Sequence, residues 1–276
     1  METIKVMVNG LPGNMSTKAA EHVLQDSSLK LIPYSLTGPE IEATETQIGS
    51  DTVRLIKPDE RQEMMESVKK AEGMAICVDY THPDSVNDNA VFYCENGLPF
   101  VMGTTGGDRT RLVEAVQKSD IAAVIAPNMA KQIVAFQAMM EYAAETFPDV
   151  FNGYGLEVKE SHQQGKADTS GTAKAMIGYF NRLGVPFTKD QIRMEREPEV
   201  QRSEWGIPEA YLSGHGWHTY SLRSEDGTVF FQFTHNVNGR DIYARGTLDA
   251  IHYLAKKIDQ GAKGRVFTMI DVLKGV

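Results

Sequence analysis

Apolar and polar positions alternate along the chain with two periods, one typical of strands and one typical of helices. Through the first half, short apolar runs are each followed by a stretch in which apolar positions repeat every three or four residues. The runs predict strands at 4–8, 29–36, 52–56, 74–78, 100–102 and 121–125. The helices between them are predicted to end near Leu24 and to cover 59–71, 83–96 and 108–118. Because strands that alternate with helices form parallel sheets, this half predicts an α/β domain.

The pattern changes beyond Met129. The elements predicted there are an amphipathic helix at 130–147, a helix at 171–183, two strands at 215–223 and 228–236, and a long helix at 240–258. Asp226-Gly227 between the two strands is typical of a hairpin. We therefore expect a second, smaller α+β domain with an open mixed or antiparallel sheet at 131–240. The first domain would comprise 1–130 together with 241–276, which returns to it.

The composition is that of an ordinary globular protein, and it argues against several classes of function. The chain has 276 residues, a formal net charge of −9 and 41% hydrophobic residues, which suffices for two modest domains. An acidic protein without a basic patch is poorly suited to nucleic acid, so no nucleic-acid partner is expected. The two cysteines, Cys77 and Cys94, have neither CxxC spacing nor a neighbouring histidine, and no metal site is expected.

The chain shows no signal for a membrane. No apolar run approaches the roughly 20 residues that span a bilayer. The first strand-like run already begins at Ile4, where a leader peptide would otherwise stand. The sequence therefore predicts a soluble, cytoplasmic protein, or alternatively one of the plastid stroma after removal of a transit peptide.

The first strand leads into a turn with two glycines. Gly10 and Gly13 precede the helix that begins around Asn14 and Met15, an arrangement that lets a backbone approach the pyrophosphate of a dinucleotide. Pro12 and Ser16 stand where the fuller glycine pattern has glycines, and such turns also occur in α/β proteins without a nucleotide. The turn alone therefore leaves both interpretations open.

The second predicted strand ends in Ser35 and Thr37, and no acidic residue follows before Glu40. An acid at this point would bind the ribose hydroxyl of NAD and repel a 2′-phosphate, whereas hydroxyls could receive the phosphate. The pattern therefore favours NADPH over NADH. A plain turn at the end of a strand is the alternative.

Three further strand ends carry small and polar residues. They are Asp79 and Thr81, then Gly103, Thr104 and Thr105, and then Ala126, Asn128 and Met129. Turn chemistry explains each loop by itself. All three nevertheless follow parallel strands at the carboxyl edge, where open α/β sheets bind ligands.

The stretch between 157 and 176 is suited to holding an anion. Ser170, Gly171 and Thr172 open a helix whose first N–H groups are free to bind a carboxylate, and Lys166 adds a positive charge. His162 titrates near neutral pH and could give a proton to the molecule that carries the anion. The alternative is an ordinary helix N-cap after an exposed loop without chemistry.

These segments resemble the dihydrodipicolinate reductase family, which is also called 4-hydroxy-tetrahydrodipicolinate reductase, over nearly the whole chain. The most specific parts are the Gly103-Thr104-Thr105-Gly106 loop and the run from Lys166 through Asp168 to Ser170-Gly171-Thr172-Ala173. Gln163 follows His162 where the common bacterial form has a second histidine. This detail and the 214–220 segment are similar to the plant-type branch.

The resemblance implies a Rossmann-like nucleotide-binding domain and the NAD(P)H-dependent reduction of 4-hydroxy-tetrahydrodipicolinate, a dicarboxylate of lysine biosynthesis. His162 would be the general acid. Lys166, Thr105, Ser170, Gly171 and Thr172 would hold the substrate. The residues implied around the cofactor are Gly10, Gly13, Asn14, Met15, Ser35, Thr37, Asp79, Thr81, Gly103, Thr104, Thr105, Ala126, Asn128 and Met129. The family also implies a homotetramer or homodimer that assembles through the second domain.

Two other functions remain compatible with the sequence. One is a different NADPH-dependent dehydrogenase of the same architecture, such as an enzyme that acts on an amino-acid semialdehyde. The other is a non-catalytic relative that keeps the fold for assembly or binding. The presence of both His162 and Lys166 favours the reductase.

Overall fold

The computed structural model describes residues 3–166 and 168–275 of the chain. It divides into two compact units. The first unit comprises Met1–Lys131 and Asp241–Val276, and the second unit is Gln132–Arg240.

The described residues form strands and α-helices in nearly regular alternation. The strands are β1 (Ile4–Asn9), β2 (Leu29–Leu31), β3 (Tyr34–Leu36), β4 (Glu45–Ile48), β5 (Asp51–Ile56), β6 (Ile76–Asp79), β7 (Phe100–Met102), β8 (Ala122–Ile125), β9 (Tyr154–His162), β10 (Arg193–Glu195), β11 (His215–Ser224), β12 (Phe230–Asn238) and β13 (Arg265–Phe267). The helices are α1 (Asn14–Gln25), α2 (Arg61–Glu72), α3 (Val86–Glu95), α4 (Arg109–Gln117), α5 (Lys131–Thr146), α6 (Gly171–Arg182), α7 (Pro198–Ser203), α8 (Asp241–Asp259) and α9 (Met269–Lys274).

A six-stranded sheet organises the first unit, in the order β13-β8-β7-β6-β1-β2, and every neighbouring pair is parallel. Strands β6, β7 and β8 are buried along their whole length, which explains why their sequences are continuous apolar runs. The predicted Rossmann-like α/β architecture is confirmed. Strand β13 from the C-terminal tail joins the sheet beside β8.

The predicted strand at 29–36 is wrong as a single element. Strand β2 pairs with β1 in the main sheet, whereas β3 pairs with β5 in a separate three-stranded sheet. Pro33 lies between the two strands and has no N–H to donate to a continuing ladder, so the chain changes sheets there. Strand β4, which pairs antiparallel with β5, was not predicted because its edge position leaves three of its four residues at least partly exposed.

The second unit is built on a mixed sheet of four strands in the order β10-β9-β11-β12. Only the β10–β9 pair is parallel. One face carries Val158 and Tyr220, which pack in a buried core with Met140 of α5 and Phe180 of α6. Full burial of a side chain of this size stabilises the fold by about 1.5–3 kcal/mol. The other face is open, in agreement with the predicted open mixed or antiparallel sheet.

No helix within the described part of the chain is long and apolar enough to cross a membrane.

Candidate active site

A cavity of about 920 Å³ opens in the first unit where β1, β3 and β6 end. Four of the residues that the sequence assigns to the cofactor border it: Gly10, Gly13, Thr37 and Thr81. Further lining residues that the sequence did not assign include Pro12, Gly38, Glu40, Arg61 and His82. The volume lies within the range of small-molecule sites, which is about 300–1,000 Å³.

The turn after β1 has the shape that a phosphate site needs. Gly10 has a φ angle of 100°, and a Cβ atom there would overlap the carbonyl oxygen of Tyr80. Ser16, which replaces a glycine of the fuller pattern, donates its hydroxyl to the carbonyls of Gly10 and Gly13 at 2.8 and 2.9 Å. Gly13 is the N-cap of α1 and provides no side-chain hydrogen bond. The first N–H groups of α1, including those of Asn14 and Met15, therefore suit a pyrophosphate.

Ser35 and Thr37 are not free to receive a 2′-phosphate. Ser35 is fully buried and its hydroxyl accepts from the N–H of Leu11 at 3.3 Å. The hydroxyl of Thr37 donates to the carbonyl of Leu11 at 2.7 Å. Both side chains fasten the glycine turn to the end of β3, so the sequence argument for NADPH loses the donors on which it relied.

Asp79 is buried completely and does not face a ligand with its carboxylate. That carboxylate accepts hydrogen bonds from Thr104 and Tyr93, both at 2.7 Å, and from Asn89 at 3.0 Å. The N–H and the hydroxyl of Thr81 donate to it at 3.1 and 2.8 Å. This carboxylate joins the loops that follow β6 and β7, and the predicted contact of Asp79 with the cofactor stays a prediction.

The other predicted cofactor residues differ in exposure. Gly103 packs against the ring of Tyr80, where a Cβ atom would overlap the ring, and Thr105 is exposed. Ala126 and Met129 are each 2% exposed and have little side chain to offer a ligand. The Asn128 side chain accepts from the N–H of Ala130 at 2.9 Å and shapes the turn that precedes α5.

The segment predicted to bind an anion lies in the second unit, between β9 and α6. His162 is the last residue of β9, and the N–H of Lys166 donates to the carbonyl of Gln163 at 3.0 Å, which closes a tight turn. Ser170 is the N-cap of α6, and its hydroxyl accepts from the N–H of Thr172 at 3.2 Å. Gly171 is exposed and Thr172 half-buried. Within residues 3–166 and 168–275, the ammonium group of Lys166 has no ion-pair partner.

Glu160, a residue to which the sequence gave no role, lies at the centre of this site. Its side chain is fully buried, and one carboxylate oxygen accepts from Arg196 at 2.6 Å. The other oxygen accepts from the N–H of Ser170 at 3.1 Å and lies 3.7 Å from Nε2 of His218. Burial by itself raises the pKa of Glu160, but the neighbouring His218, Arg196 and Ser170 N–H outweigh burial and hold it at about 2.

Strand register brings the remaining groups together. Glu160 of β9 is opposite His218 of β11, and His218 is opposite His235 of β12. The rings of His218 and His235 stack with centroids 4.6 Å apart. Alternate residues of a strand share a face, so His162 lies on the same face as Glu160. The sequence alone did not predict that Glu160, His218 and His235 are neighbours, since their three strands are distant in the chain.

Both ring nitrogens of His162 have partners. Nδ1 lies 2.9 Å from the carbonyl oxygen of His215, and Nε2 lies 3.4 Å from Nε2 of His218. A Cβ atom on Gly216 would meet the His162 ring at 2.9 Å, so that glycine makes space for the ring. Burial, and after it the charge of His218, lowers the pKa of His162 to about 4. Burial likewise lowers the pKa of His235, to about 3.

The passage before and within α7 supports the site from behind. Arg196 donates to the backbone carbonyl of Lys166 at 2.9 Å as well as to Glu160, so it connects the lysine loop with the buried carboxylate. Gln201 donates to the carbonyl of His162 at 2.7 Å. The sequence gave no signal for either residue, because both lie in a passage rich in proline and glutamate that resembles a surface loop.

One group of side chains has the spacing of a metal site. Ligand atoms of Glu160, His162 and His218 lie within 4.8 Å of one another. A cation there would compete with Arg196 for the carboxylate and would occupy the nitrogen of His162 that a proton needs. We therefore treat the three residues as an acid–base group.

Comparison with known proteins gives matches along nearly the whole chain. The family model described as "Dihydrodipicolinate reductase, N-terminus" matches residues 4–129, and "Dihydrodipicolinate reductase, C-terminus" matches residues 132–273. The chain is 48% identical over 271 residues to 4-hydroxy-tetrahydrodipicolinate reductase 2, chloroplastic, of Arabidopsis thaliana, covering 98% of this chain and 77% of that protein. It is 28% identical over 283 residues to the 4-hydroxy-tetrahydrodipicolinate reductase of Methanocaldococcus jannaschii, covering 98% and 97%.

Solved structures agree in fold. A dipicolinate-bound dihydrodipicolinate reductase from Paenisporosarcina has a TM-score of 0.66 at 18% identity, covering 96% of this chain and 97% of that chain. A diaminopimelate dehydrogenase of C. glutamicum has a TM-score of 0.52 at 9% identity, covering 98% and 94%. At these identities the structures support the architecture and say nothing about the reaction.

Proposed function

The chain belongs to the dihydrodipicolinate reductase family, and from this premise we propose that it reduces 4-hydroxy-tetrahydrodipicolinate to tetrahydrodipicolinate with NADPH or NADH. This reaction belongs to the diaminopimelate route of lysine biosynthesis. One observation carries the proposal. His162 ends β9 next to a tight turn that carries Lys166, and that turn leads to the first turn of α6.

The substrate is a ring with two carboxylates, and the second unit offers groups that bind such anions. Lys166 contributes a positive charge without a competing ion pair among the described residues. Gly171 and Thr172 lie in the first turn of α6, where the helix dipole favours a negative charge. The N–H of Thr172 already donates to the Ser170 hydroxyl, so Thr172 would offer its own hydroxyl. Ser170 supports them by capping the helix with its hydroxyl. We assign these four residues to the carboxylates.

Reduction of the substrate has three parts: water is lost, a hydride is added and a proton is added. The reduced nicotinamide, when bound, supplies the hydride. His162 supplies the proton: its Nε2–H bond breaks with the electron pair left on nitrogen, and the pair of the anionic enamine forms the new C–H bond. With a pKa of about 4 the ring is neutral in the free protein near neutral pH. Substrate carboxylates favour its charged form, so we expect substrate binding to load His162 with the proton.

The cofactor belongs to the first unit in this proposal. Gly10, Gly13 and the first turn of α1 fit a pyrophosphate, and the 920 Å³ cavity beside them fits the rest of a nucleotide. Gly103 and Thr104 belong to the same edge of the sheet and are held in place by Asp79.

NADPH remains the cofactor that we propose, but we now base this choice on Arg61 and not on the hydroxyls of Ser35 and Thr37. Arg61 is the cation that lines the cavity, and a guanidinium suits a 2′-phosphate. Glu40 and Asp88 line the same cavity and oppose the phosphate. The balance between Arg61 and these two acids would set the preference over NADH.

For assembly and location we propose a homotetramer or homodimer that uses the open face of the second unit's sheet. Phe230 lies on this face and is 49% exposed, which favours a covering partner. Size-exclusion chromatography with light scattering tests this, and a monomer would contradict it. Because the Arabidopsis relative is named chloroplastic, we propose the plastid stroma as the alternative to the cytoplasm.

The proposed activity is tested by loss of nicotinamide absorbance with substrate generated enzymatically in the cuvette, first with NADPH and then with NADH. We expect turnover that depends on both the substrate and the protein. Binding of NADPH without any turnover would contradict the proposal and favour a non-catalytic relative.

A further inference from the structure

The hydrogen bonds around His162 fix where its protons lie. A carbonyl oxygen can only accept, so the contact between His162 Nδ1 and the carbonyl of His215 places a proton on Nδ1. In the neutral ring Nε2 then carries a lone pair. This lone pair faces Nε2 of His218 at 3.4 Å, and two lone pairs repel each other. The proton on this axis therefore belongs to His218 when His162 is neutral.

A carboxylate that could accept the same N–H lies close by, at ion-pair rather than hydrogen-bond distance. Oε2 of Glu160 lies 3.7 Å from Nε2 of His218, and the carboxylate is held as an anion by Arg196 and by the N–H of Ser170. Nδ1 of His218 is buried and has no hydrogen-bond partner among the described residues. An unsatisfied lone pair there costs less than an unsatisfied N–H, which again assigns the proton to Nε2.

We propose, on the basis of the function proposed above, that His218 is a positioning residue for the acid His162, with Glu160 as its alternative acceptor. When His162 is neutral, His218 donates to its Nε2. When His162 is charged, its Nε2 carries a proton and can no longer accept, so His218 turns its N–H to Glu160 and the Nε2–H of His162 is left for the substrate. His218 thus keeps an acceptor in both protonation states of the acid.

The step that this arrangement supports is balanced. The proton leaves Nε2 of His162 for the enamine carbon, whose electron pair becomes the C–H bond, and the N–H electron pair stays on nitrogen. His218 then turns its N–H from Glu160 to the vacated lone pair without losing its proton. His162 is half-buried, so solvent can restore its proton before the next turnover.

The titratable and charged groups around His162 come from several elements. They are Glu160 on β9, Lys166 in the following loop, Arg196 after β10, His215 and His218 on β11, and His235 on β12. Glu160 favours the charged form of His162, whereas His218 and Arg196 disfavour it. Removing the positioning residue and removing its carboxylate acceptor are therefore expected to shift the titration of His162 in opposite directions.

The test compares His218→Leu, His218→Gln and Tyr220→Phe. Tyr220 is the matched control, because it is on the same face of β11, is fully buried and has a hydroxyl without a partner among the described residues. We expect His218→Leu to lower kcat by about 2- to 12-fold, the value of one hydrogen bond between neutral groups, with a smaller change in KM. Glutamine keeps an N–H donor and should restore much of kcat. Tyr220→Phe should behave like the wild type.

The second readout is the titration of His162, followed by NMR on protein with 15N-labelled histidine. We expect the pKa of His162 to rise in His218→Leu, to fall in Glu160→Gln, and to stay unchanged in Tyr220→Phe. Should the leucine variant not fold, His218→Asn gives the same comparison, since its shorter amide does not reach His162.

Wild-type kcat and an unchanged His162 titration in His218→Leu would overturn the inference while leaving the proposed reaction intact. A wild-type protein without turnover would instead overturn the proposed function, and the titration would still decide the role of His218.

Discussion

Two carboxylates among the residues that the structure describes are completely buried, Asp79 at the end of β6 and Glu160 near the end of β9, and their neighbours differ in kind. Asp79 accepts from the hydroxyls of Tyr93 and Thr104 and from an amide of Asn89, which are neutral donors. Glu160 faces an arginine and a histidine. Neutral donors hold a carboxylate in place, whereas charged and titratable neighbours also connect it to the position of a proton.

The comparison shows how the same chemical group serves different purposes in the two units. In the first unit the carboxylate is structural, because it joins two loops at the edge of the parallel sheet and thereby shapes the cavity for a nucleotide. In the second unit the carboxylate is two residues before the proposed acid on the same strand. Substitutions around Asp79 are therefore expected to affect folding and nucleotide binding, whereas substitutions around Glu160 are expected to affect proton transfer.

The largest effect should come from His162→Gln, which removes the proposed acid of the second unit. We expect kcat to fall by about 10²- to 10⁴-fold, the usual contribution of a general acid, with a much smaller change in substrate affinity. Steady-state kinetics with both substrates measure this. Thr81→Val, which removes one hydroxyl donor from Asp79, is the control in the first unit. It should change the KM for nucleotide more than kcat. Wild-type kcat in His162→Gln would contradict the assignment of the acid.

A smaller effect is expected when Lys166 is replaced by methionine. Loss of a hydrogen bond to a charged group weakens binding by about 1.5–3 kcal/mol, so the affinity for the dicarboxylate should fall by roughly 10- to 100-fold and kcat should fall as well. Titration calorimetry with dipicolinate, the ligand named for the Paenisporosarcina reductase, gives the affinity. Lys159→Met is the matched control, since this lysine pairs with Glu157 at 3.2 Å on the same strand as His162. Equal loss in both variants would point to overall charge alone.

Lowering the pH should destabilise the second unit in two stages. The pKa of His162 is about 4 against an ordinary 6.5, so the folded state binds fewer protons and stability is lost as pH falls from 6.5 toward 4. The pKa of Glu160 is about 2 against 4.5, so the stability that it contributes is present above 4.5 and is lost below that pH.

We expect His162→Gln to reduce the loss of stability between pH 6.5 and 4. Part of this loss should remain, because the pKa of His235 is lowered as well. Urea unfolding from neutral pH downward measures it. Trp205 and Trp217 are the two tryptophans of the chain, and both are in the second unit, so their fluorescence reports on that unit. An identical pH dependence in the variant and the wild type would show that the buried state of His162 does not affect stability.

The smallest effect concerns cofactor preference in the first unit. Arg61→Ala should lower the ratio of NADPH to NADH activity by several-fold, because a cation that lines the cavity is lost. Glu40→Gln should raise the ratio, because a repulsive charge is lost. The two ratios of kcat/KM measure the effect, with Ser35→Ala as the control whose hydroxyl is already bonded to the backbone. A drop in the ratio for Ser35→Ala would restore the original sequence argument.

Much of the fold follows from local pattern. Buried parallel strands are continuous apolar runs, and the glycine turn and the hairpin dipeptide have local signatures, so the α/β half and the open sheet were predictable. The prediction of one strand at 29–36 was wrong because of Pro33. The pattern of apolar positions does not show that a single N–H donor is missing. The similarity to the plant protein confirms the resemblance to the plant-type branch.

The candidate site was less predictable, for a physical reason. His162, Lys166 and Ser170 are close in sequence, so their shared loop can be recognised. Glu160 looks like one residue of an alternating strand, and His218 becomes its neighbour only through the register of β9 and β11. Burial likewise turned Asp79 and Ser35 inward, and a sequence does not show which way a polar side chain at a strand end will face.

The most direct test of the account measures protons taken up when a dicarboxylate binds. Calorimetry of dipicolinate binding near neutral pH, in buffers of different ionisation enthalpy, gives that number. We expect uptake of close to one proton in the wild type and none in His162→Gln, since the neutral histidine is charged by its ligand. Binding without proton uptake in the wild type would show that the substrate does not load the acid.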